Sequence, residues 1–201
     1  MIIPDWLFYI LSTLFAGLLI AFSLQYWPGQ THEANPFDAP PEAGLVIKGK
    51  QLGLMQAAQG LTAEIMEEDD TVFLRAAAGQ KPDEGVRSAG VFLTLPKKYS
   101  TAYANSMIEY TMVVRGAGPT PSPKIIIAYY APGRGNSPRK MCTLSPQWTP
   151  CTMLYKPPAA NDNNMVDYAG IWPDLEGLSR TVDIREISIK PHANTPAEAS
   201  K

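Results

Sequence analysis

The sequence predicts an all-β domain, a two-sheet antiparallel sandwich with Greek-key crossings, carried behind one N-terminal transmembrane helix. Three observations predict it. The stretch Trp6–Trp27 contains no Lys, Arg, Asp, Glu or His. After Pro28 the chain reads as short apolar runs parted by Gly, Pro, Asn and Asp, at roughly the 8–12-residue spacing of an all-β domain. No long helical periodicity follows Pro28, and the connections are too long for a meander of tight hairpins, which favours two packed sheets.

The N-terminal stretch would make a helix of roughly 33 Å at 1.5 Å per residue, enough to cross a bilayer with some tilt. Leu, Ile and Phe dominate Leu7–Leu24 and outweigh Ser12, Thr13, Ser23 and Gln25. Trp6 and Tyr9 at one end, and Tyr26 and Trp27 at the other, suit the headgroup level. Pro28-Gly29 ends the helix. Thr13, Gly17 and Ala21 recur at four-residue steps, a stripe that would let another helix approach closely. The competing reading is a cleaved signal peptide, for which Ala21-Phe22-Ser23 supplies small residues. Against it, Met1–Asp5 has no Lys or Arg, and the apolar run exceeds the usual signal core. A buried globular helix would show a polar face, which this one lacks.

The 201 residues leave room for one domain of ordinary size beyond the anchor. Residues 1–29 are assigned to the transmembrane anchor, 30–43 to a Pro-rich linker, 44–191 to the sandwich and 192–201 to a polar tail. A net charge of −2, from 17 basic and 19 acidic residues, gives no electrostatic footprint for nucleic acid. The first Lys or Arg is Lys48, so the segment after the anchor lacks the charges that hold a flank in the cytoplasm. The expected topology is a single span in the inner membrane, with the domain in the periplasm.

Cys142 and Cys151 fall in one short segment around Pro146 and Pro150. That offset suits a disulfide closing a hairpin loop in an oxidising compartment. A metal site is disfavoured because His32 and His192 lie in linker and tail, and a redox motif because the spacing is not Cys-x-x-Cys. Two unpaired core thiols are the alternative.

In chain order, Leu45–Ile47 and Gln51–Met55 read as weak strands, and Gly60–Met66 as a strand or one helical turn. Glu67–Asp70 reads as a turn into a strand from Thr71, and Val86–Leu95 as the next strand. Tyr99–Asn105 reads as a short helical or irregular bridge. Met107–Arg115 alternates cleanly, and Lys124–Tyr130 has the β-branched and aromatic composition of a central strand. The Cys hairpin follows, then strands over Val166–Trp172 and Arg180–Ile189. Ile184, Ile187 and Ile189 do not hold one parity, which predicts a bulge or a sheet change there.

The run Gly90-Val-Phe-Leu-Thr-Leu-Pro96, the Ile-Ala-Tyr-Tyr strand, the Trp-containing hairpin, Tyr168-Ala-Gly-Ile-Trp-Pro and the closing Arg180–Ile189 carry a resemblance. Over Gly44–Pro191 the chain resembles the jelly-roll sandwich of galactose-binding-like and carbohydrate-binding modules. The resemblance implies binding, often of sugars, sometimes with a structural calcium.

No His lies in the folded part, so Ser-His and Cys-His nucleophilic sites are excluded as ordinarily built. Glu67, Glu68, Asp69 and Asp70 read as a solvated turn rather than an acid–base pair. Those four, or Asp162, Asp167, Asp174 and Asp183, offer oxygens for a hard cation, but without an EF-hand spacing. Gly133-Arg-Gly-Asn136 lacks the Lys-Ser/Thr of a phosphate loop and reads as a turn. For a sugar, the candidate contacts are Trp148, Trp172 and the polar run Asn161, Asp162, Asn163 and Asn164, with core packing the competing role for the two indoles. The expectation is a non-enzyme without cofactor. It would be an accessory subunit that docks on integral membrane proteins, plausibly of a bioenergetic complex. The alternative is a membrane-tethered module for a cell-envelope glycan.

Overall fold

A computed structural model describes residues 5–25, 35–84, 89–159 and 166–192. The chain divides into two compact units, Met1–Ala34 and Asn35–Lys201. In the first, the apolar run forms one helix, α1 (Asp5–Gln25). Among the described residues no helix is long and apolar enough to cross a membrane.

The second unit is a sandwich of two antiparallel sheets. Its strands are β1 (Leu45–Lys48), β2 (Gln56–Ala57), β3 (Leu61–Glu68), β4 (Thr71–Ala78), β5 (Val91–Leu95) and β6 (Ile108–Gly116). The remainder are β7 (Lys124–Ala131), β8 (Gly135–Asn136), β9 (Lys140–Thr143), β10 (Thr149–Tyr155), β11 (Asp167–Trp172) and β12 (Thr181–Pro191). Sheet I runs β10-β6-β12-β4-β3, with β1 also on β12; sheet II runs β2-β5-β11-β7-β8, with β9 also on β7. A short helix, α2 (Lys97–Tyr103), bridges β5 in sheet II to β6 in sheet I, where the sequence predicts a helical or irregular bridge over Tyr99–Asn105.

Alternation decides which residues meet between the sheets. Ile108, Tyr110, Met112 and Val114 of β6 point inward, as do Val91, Leu93 and Leu95 of β5 and Ile125, Ile127 and Tyr129 of β7. Each such aliphatic side chain contributes about 1.5–3 kcal/mol of transfer free energy. Tyr110 carries its hydroxyl across the core and donates to the Gly170 carbonyl of the opposite sheet at 3.3 Å. The parity break in β12 is a bulge at Arg185, between Ile184 and Glu186. By absorbing one residue it keeps Ile184, Ile187 and Ile189 all in the core.

Three local expectations change. Gln51–Met55 is no strand; a 3-10 helix covers Gly49–Leu54 and buries Leu52. The Cys segment is a bridge between sheets rather than a hairpin within one: β9 pairs with β7 in sheet II and β10 with β6 in sheet I. The expected spacer over 30–43 gives way from Asn35 onward, residues 30–34 lying outside the described residues. Two 3-10 turns, Pro36–Asp38 and Pro41–Ala43, settle on α2. Phe37 meets Tyr99 edge to face, and the Tyr99 hydroxyl donates to the carbonyls of Ala39 and Pro36. Proline-rich chain docks readily because it surrenders little backbone entropy.

A candidate functional cleft on sheet II

Two adjacent rows of side chains cross the outer face of sheet II, and the strand register fixes both. In one, Thr94 of β5 faces Tyr168 of β11, Tyr168 faces Tyr130 of β7, and Tyr130 faces Asn136 of β8. In the other, Gln56 of β2 faces Phe92 of β5, and Phe92 faces Gly170 of β11. Alternation explains the arrangement: Val91, Leu93, Ala169 and Tyr129 point into the core, so their neighbours along each strand point out. Three strand spacings of ~4.8 Å put about 14 Å between the ends of the first row.

These rows floor a cleft of about 900 Å³, lined also by Pro82, Asp83, Ala89, Pro132 and Arg139. The volume lies within the range of roughly 300–1,000 Å³ usual for ligand pockets. Phe92 and Tyr168 pack edge to face, their centroids 5.4 Å apart, so each props the other while remaining half-buried. Gly170 is required here: a Cβ would stand 2.3 Å from the Ala89 carbonyl oxygen, where the β4–β5 connection crosses the sheet. Burial raises the pKa of the Tyr130 phenol and the Arg139 charge pulls it back, so it is a neutral hydroxyl at physiological pH. Arg139 Nη2 donates to Asp83 Oδ1 at 2.9 Å across the wall.

The residues expected to contact a sugar are not brought together. Trp172 is 4 % exposed, packed against Gly90, and its Nε1 finds no hydrogen-bond partner among the described residues. Trp148 is half-buried on the outer face of sheet I, with the guanidinium of Arg115 4.5 Å and that of Arg185 5.2 Å from its ring centre. Two indoles on different sheets cannot stack on one glycan chain. Asn161, Asp162, Asn163 and Asn164 lie outside the described residues.

The acidic candidates are likewise dispersed. Asp69 and Asp70, both at positive φ, form the two-residue turn of the β3–β4 hairpin. Asp183 is fully buried between Arg75 and Arg115; Asp167 accepts from Arg134 and the Tyr129 hydroxyl. Asp174 accepts from the backbone N–H groups of Glu176, Leu178 and Arg180. Among the described residues no three His, Cys, Asp or Glu side chains gather where they could hold a metal. Only the first half of Gly133–Asn136 is a turn, since Gly135–Asn136 pair with β7 as β8; Arg134 of the turn reaches inward to Asp167 and the Pro158 carbonyl.

Cys142 and Cys151 form the expected disulfide. On α1, Thr13, Gly17 and Ala21 line one shallow groove with Tyr9, Leu14 and Leu18. Trp6 and Tyr9 are exposed, whereas Tyr26 and Trp27 lie outside the described residues.

No protein-family model matches the chain, and no curated protein matches it. Its structural neighbours are β-sandwich carbohydrate-binding modules at low identity. They include the CBM22-1 xylan-binding domain of Paenibacillus barcinonensis Xyn10C, at 13% identity and TM-score 0.49, with 75% of this chain and 96% of that one covered. The CBM22-1–CBM22-2 tandem of the same protein aligns at 14% identity and TM-score 0.48, over 80% of this chain and 49% of that one. A CBM4 structure aligns at 12% identity and TM-score 0.45, over 79% and 97%.

Proposed function

We propose that this chain is a non-catalytic glycan-binding module, tethered by its N-terminal helix to the inner membrane and facing the periplasm. The observation that carries the reading is the cross-strand row Thr94–Tyr168–Tyr130–Asn136 beside Phe92 and Gln56 in one cleft. A pyranose ring has an apolar C–H face and a polar rim of hydroxyls. Half-buried aromatic rings flanked by amides and hydroxyls offer complements to both. A neutral Tyr130 phenol both donates and accepts, as sugar hydroxyls require.

The test is retention of the detergent-solubilised full chain on cell-wall sacculi and on a panel of soluble polysaccharides by affinity electrophoresis. Tyr168→Ala and Phe92→Ala should abolish retention, whereas Trp148→Ala should leave it. Retention of none of these glycans, or loss only with Trp148→Ala, removes the cleft as the site.

A second reading is an accessory subunit of a membrane complex, docked through α1 on integral membrane partners. The groove through Thr13, Gly17 and Ala21 favours it, since a Cβ added at Gly17 would meet nothing within 4 Å and would fill that groove. Loss of a co-purifying partner in Gly17→Leu, with glycan retention intact, would support this reading. Both readings share the anchor, and protease digestion of the domain in spheroplasts tests the side on which it lies.

A further inference from the structure

We propose, on the premise that the sheet II cleft is a glycan site, that its ligand is anionic and that Arg139 reads a carboxylate-bearing sugar beside Tyr130. Among the described residues lining the cleft, the charged ones are Asp83 and Arg139. They pair with each other at one wall, their side chains 80 % and 49 % exposed. An ion pair so solvated contributes little by itself and is readily rearranged. Its bond uses one of the five N–H donors that a guanidinium carries in a fixed fork.

The field of Arg139 reaches the Tyr130 hydroxyl and opposes the effect of burial there. Register brings that cation to the same strand as the platform: Lys140 faces Ile127 in the β7–β9 ladder, so Arg139, the residue before it, reaches β7 between Ile127 and Tyr130, and both Arg139 and Tyr130 line the cleft. A sugar stacked on Tyr130 would direct an exocyclic carboxylate to the guanidinium, whose planar fork matches two carboxylate oxygens better than it matches hydroxyls. An amino sugar would need Asp83 instead, with the Arg139 charge opposing it.

Sodium polygalacturonate and alginate, each set against the methyl ester of the same polymer, isolate the charge from the sugar backbone. Titration calorimetry would use the full chain in a detergent without a sugar headgroup, at low and at high salt. The acid forms should bind about tenfold more tightly than the esters, the difference expected of one charge-assisted contact. High salt should narrow that gap. Arg139→Gln should close it, and Arg139→Lys, which keeps charge but not the fork, should retain part of it. Equal binding of acid and ester, or an acid preference that survives Arg139→Gln, overturns the assignment. If neither polymer binds while neutral glycans still bind through Tyr168, the anionic ligand is wrong and the cleft stands. If neutral glycans fail too, both are wrong.

Discussion

Cys142 and Cys151 are nine residues apart in sequence yet belong to different sheets, their Cα atoms 6.0 Å apart. The bond joins β9, at one edge of sheet II, to β10, at one edge of sheet I. It therefore closes a corner of the sandwich where the chain leaves one layer for the other. Cys151 is buried against the core and Cys142 is half-buried at its margin.

Reduction, or a paired Cys142→Ser and Cys151→Ser replacement, should lower unfolding stability by about 2.5–3 kcal/mol, the chain-entropy estimate for so short a loop. Urea titration of the full chain with and without reductant measures it. Coincident midpoints would show that the corner is held by packing alone.

Asp183 should be the least replaceable polar residue of sheet I. Its carboxylate is fully buried and accepts from Arg75 Nε at 2.7 Å, Arg75 Nη2 at 3.0 Å and Arg115 Nε at 3.1 Å. Asp183→Asn takes from Arg75 its paired carboxylate and leaves Arg115 with Glu68 alone, a change of about 3–5 kcal/mol for a buried pair. Glu68 also pairs with Arg115, at 2.6 Å, but its side chain is 59 % exposed, so Glu68→Gln should change stability by at most ~1 kcal/mol. Equal effects of the two substitutions in urea would show that burial does not set the strength of this network.

Much of this framework was legible in the sequence because it rests on periodicity. Clean alternation marked Met107–Arg115, and β6 covers Ile108–Gly116; the broken parity of Ile184, Ile187 and Ile189 marked the bulge. The cleft was not legible. Its residues come from five strands, and only the register of β2, β5, β11, β7 and β8 puts Gln56, Phe92, Tyr168, Tyr130 and Asn136 together. The one signal available was the outward parity of Phe92, Tyr130 and Tyr168 beside inward aliphatic neighbours, a pattern also shown by any surface aromatic. Trp148 and Trp172 drew attention as large aromatics, but one is clamped by arginines and the other is buried. Arg134 reads in the sequence only as part of the Gly133-Arg-Gly-Asn136 turn, because nothing local reveals that a turn arginine reaches Asp167.

Alkaline pH should destabilise the sandwich steeply. Burial raises the pKa of Tyr103, Tyr110 and Tyr129 above the ordinary value near 10, with the Asp167 charge adding to the effect at Tyr129. A raised folded-state pKa gives stability that is complete below the unfolded value and is lost as pH rises above it. Between the unfolded value of ~10 and the folded ones, the unfolded chain binds fewer protons, so stability should fall by about 1.4 kcal/mol per pH unit for each tyrosine. Urea midpoints measured above pH 10 test this, and Tyr103→Phe should reduce the slope by about one such increment. A slope unchanged in that variant would mean that Tyr103 ionises within the fold.

Sheet I should be able to lose Arg185 without any core residue changing face. In the β12–β6 ladder Ile184 faces Val114, Glu186 faces Val113 and Ile187 faces Met112, so Arg185 stands outside the pairing. Deleting it would leave a regular ladder with Ile184, Ile187 and Ile189 still inward. The loss would be the guanidinium over Trp148, a contact of about 0.5–1 kcal/mol at an exposed position. Deleting Ser188 instead, three residues later, would move Ile189 from the core to the outer face, since a one-residue slip in a strand exchanges its two sides. Ile189 is fully buried, so that deletion should cost several kcal/mol through the lost side chain and the cavity left behind. Circular dichroism and urea titration of the two deletion variants separate these outcomes. If the Arg185 deletion unfolds the chain as readily as the Ser188 deletion, the bulge is required for the twist of sheet I and is not merely an accommodation of one extra residue.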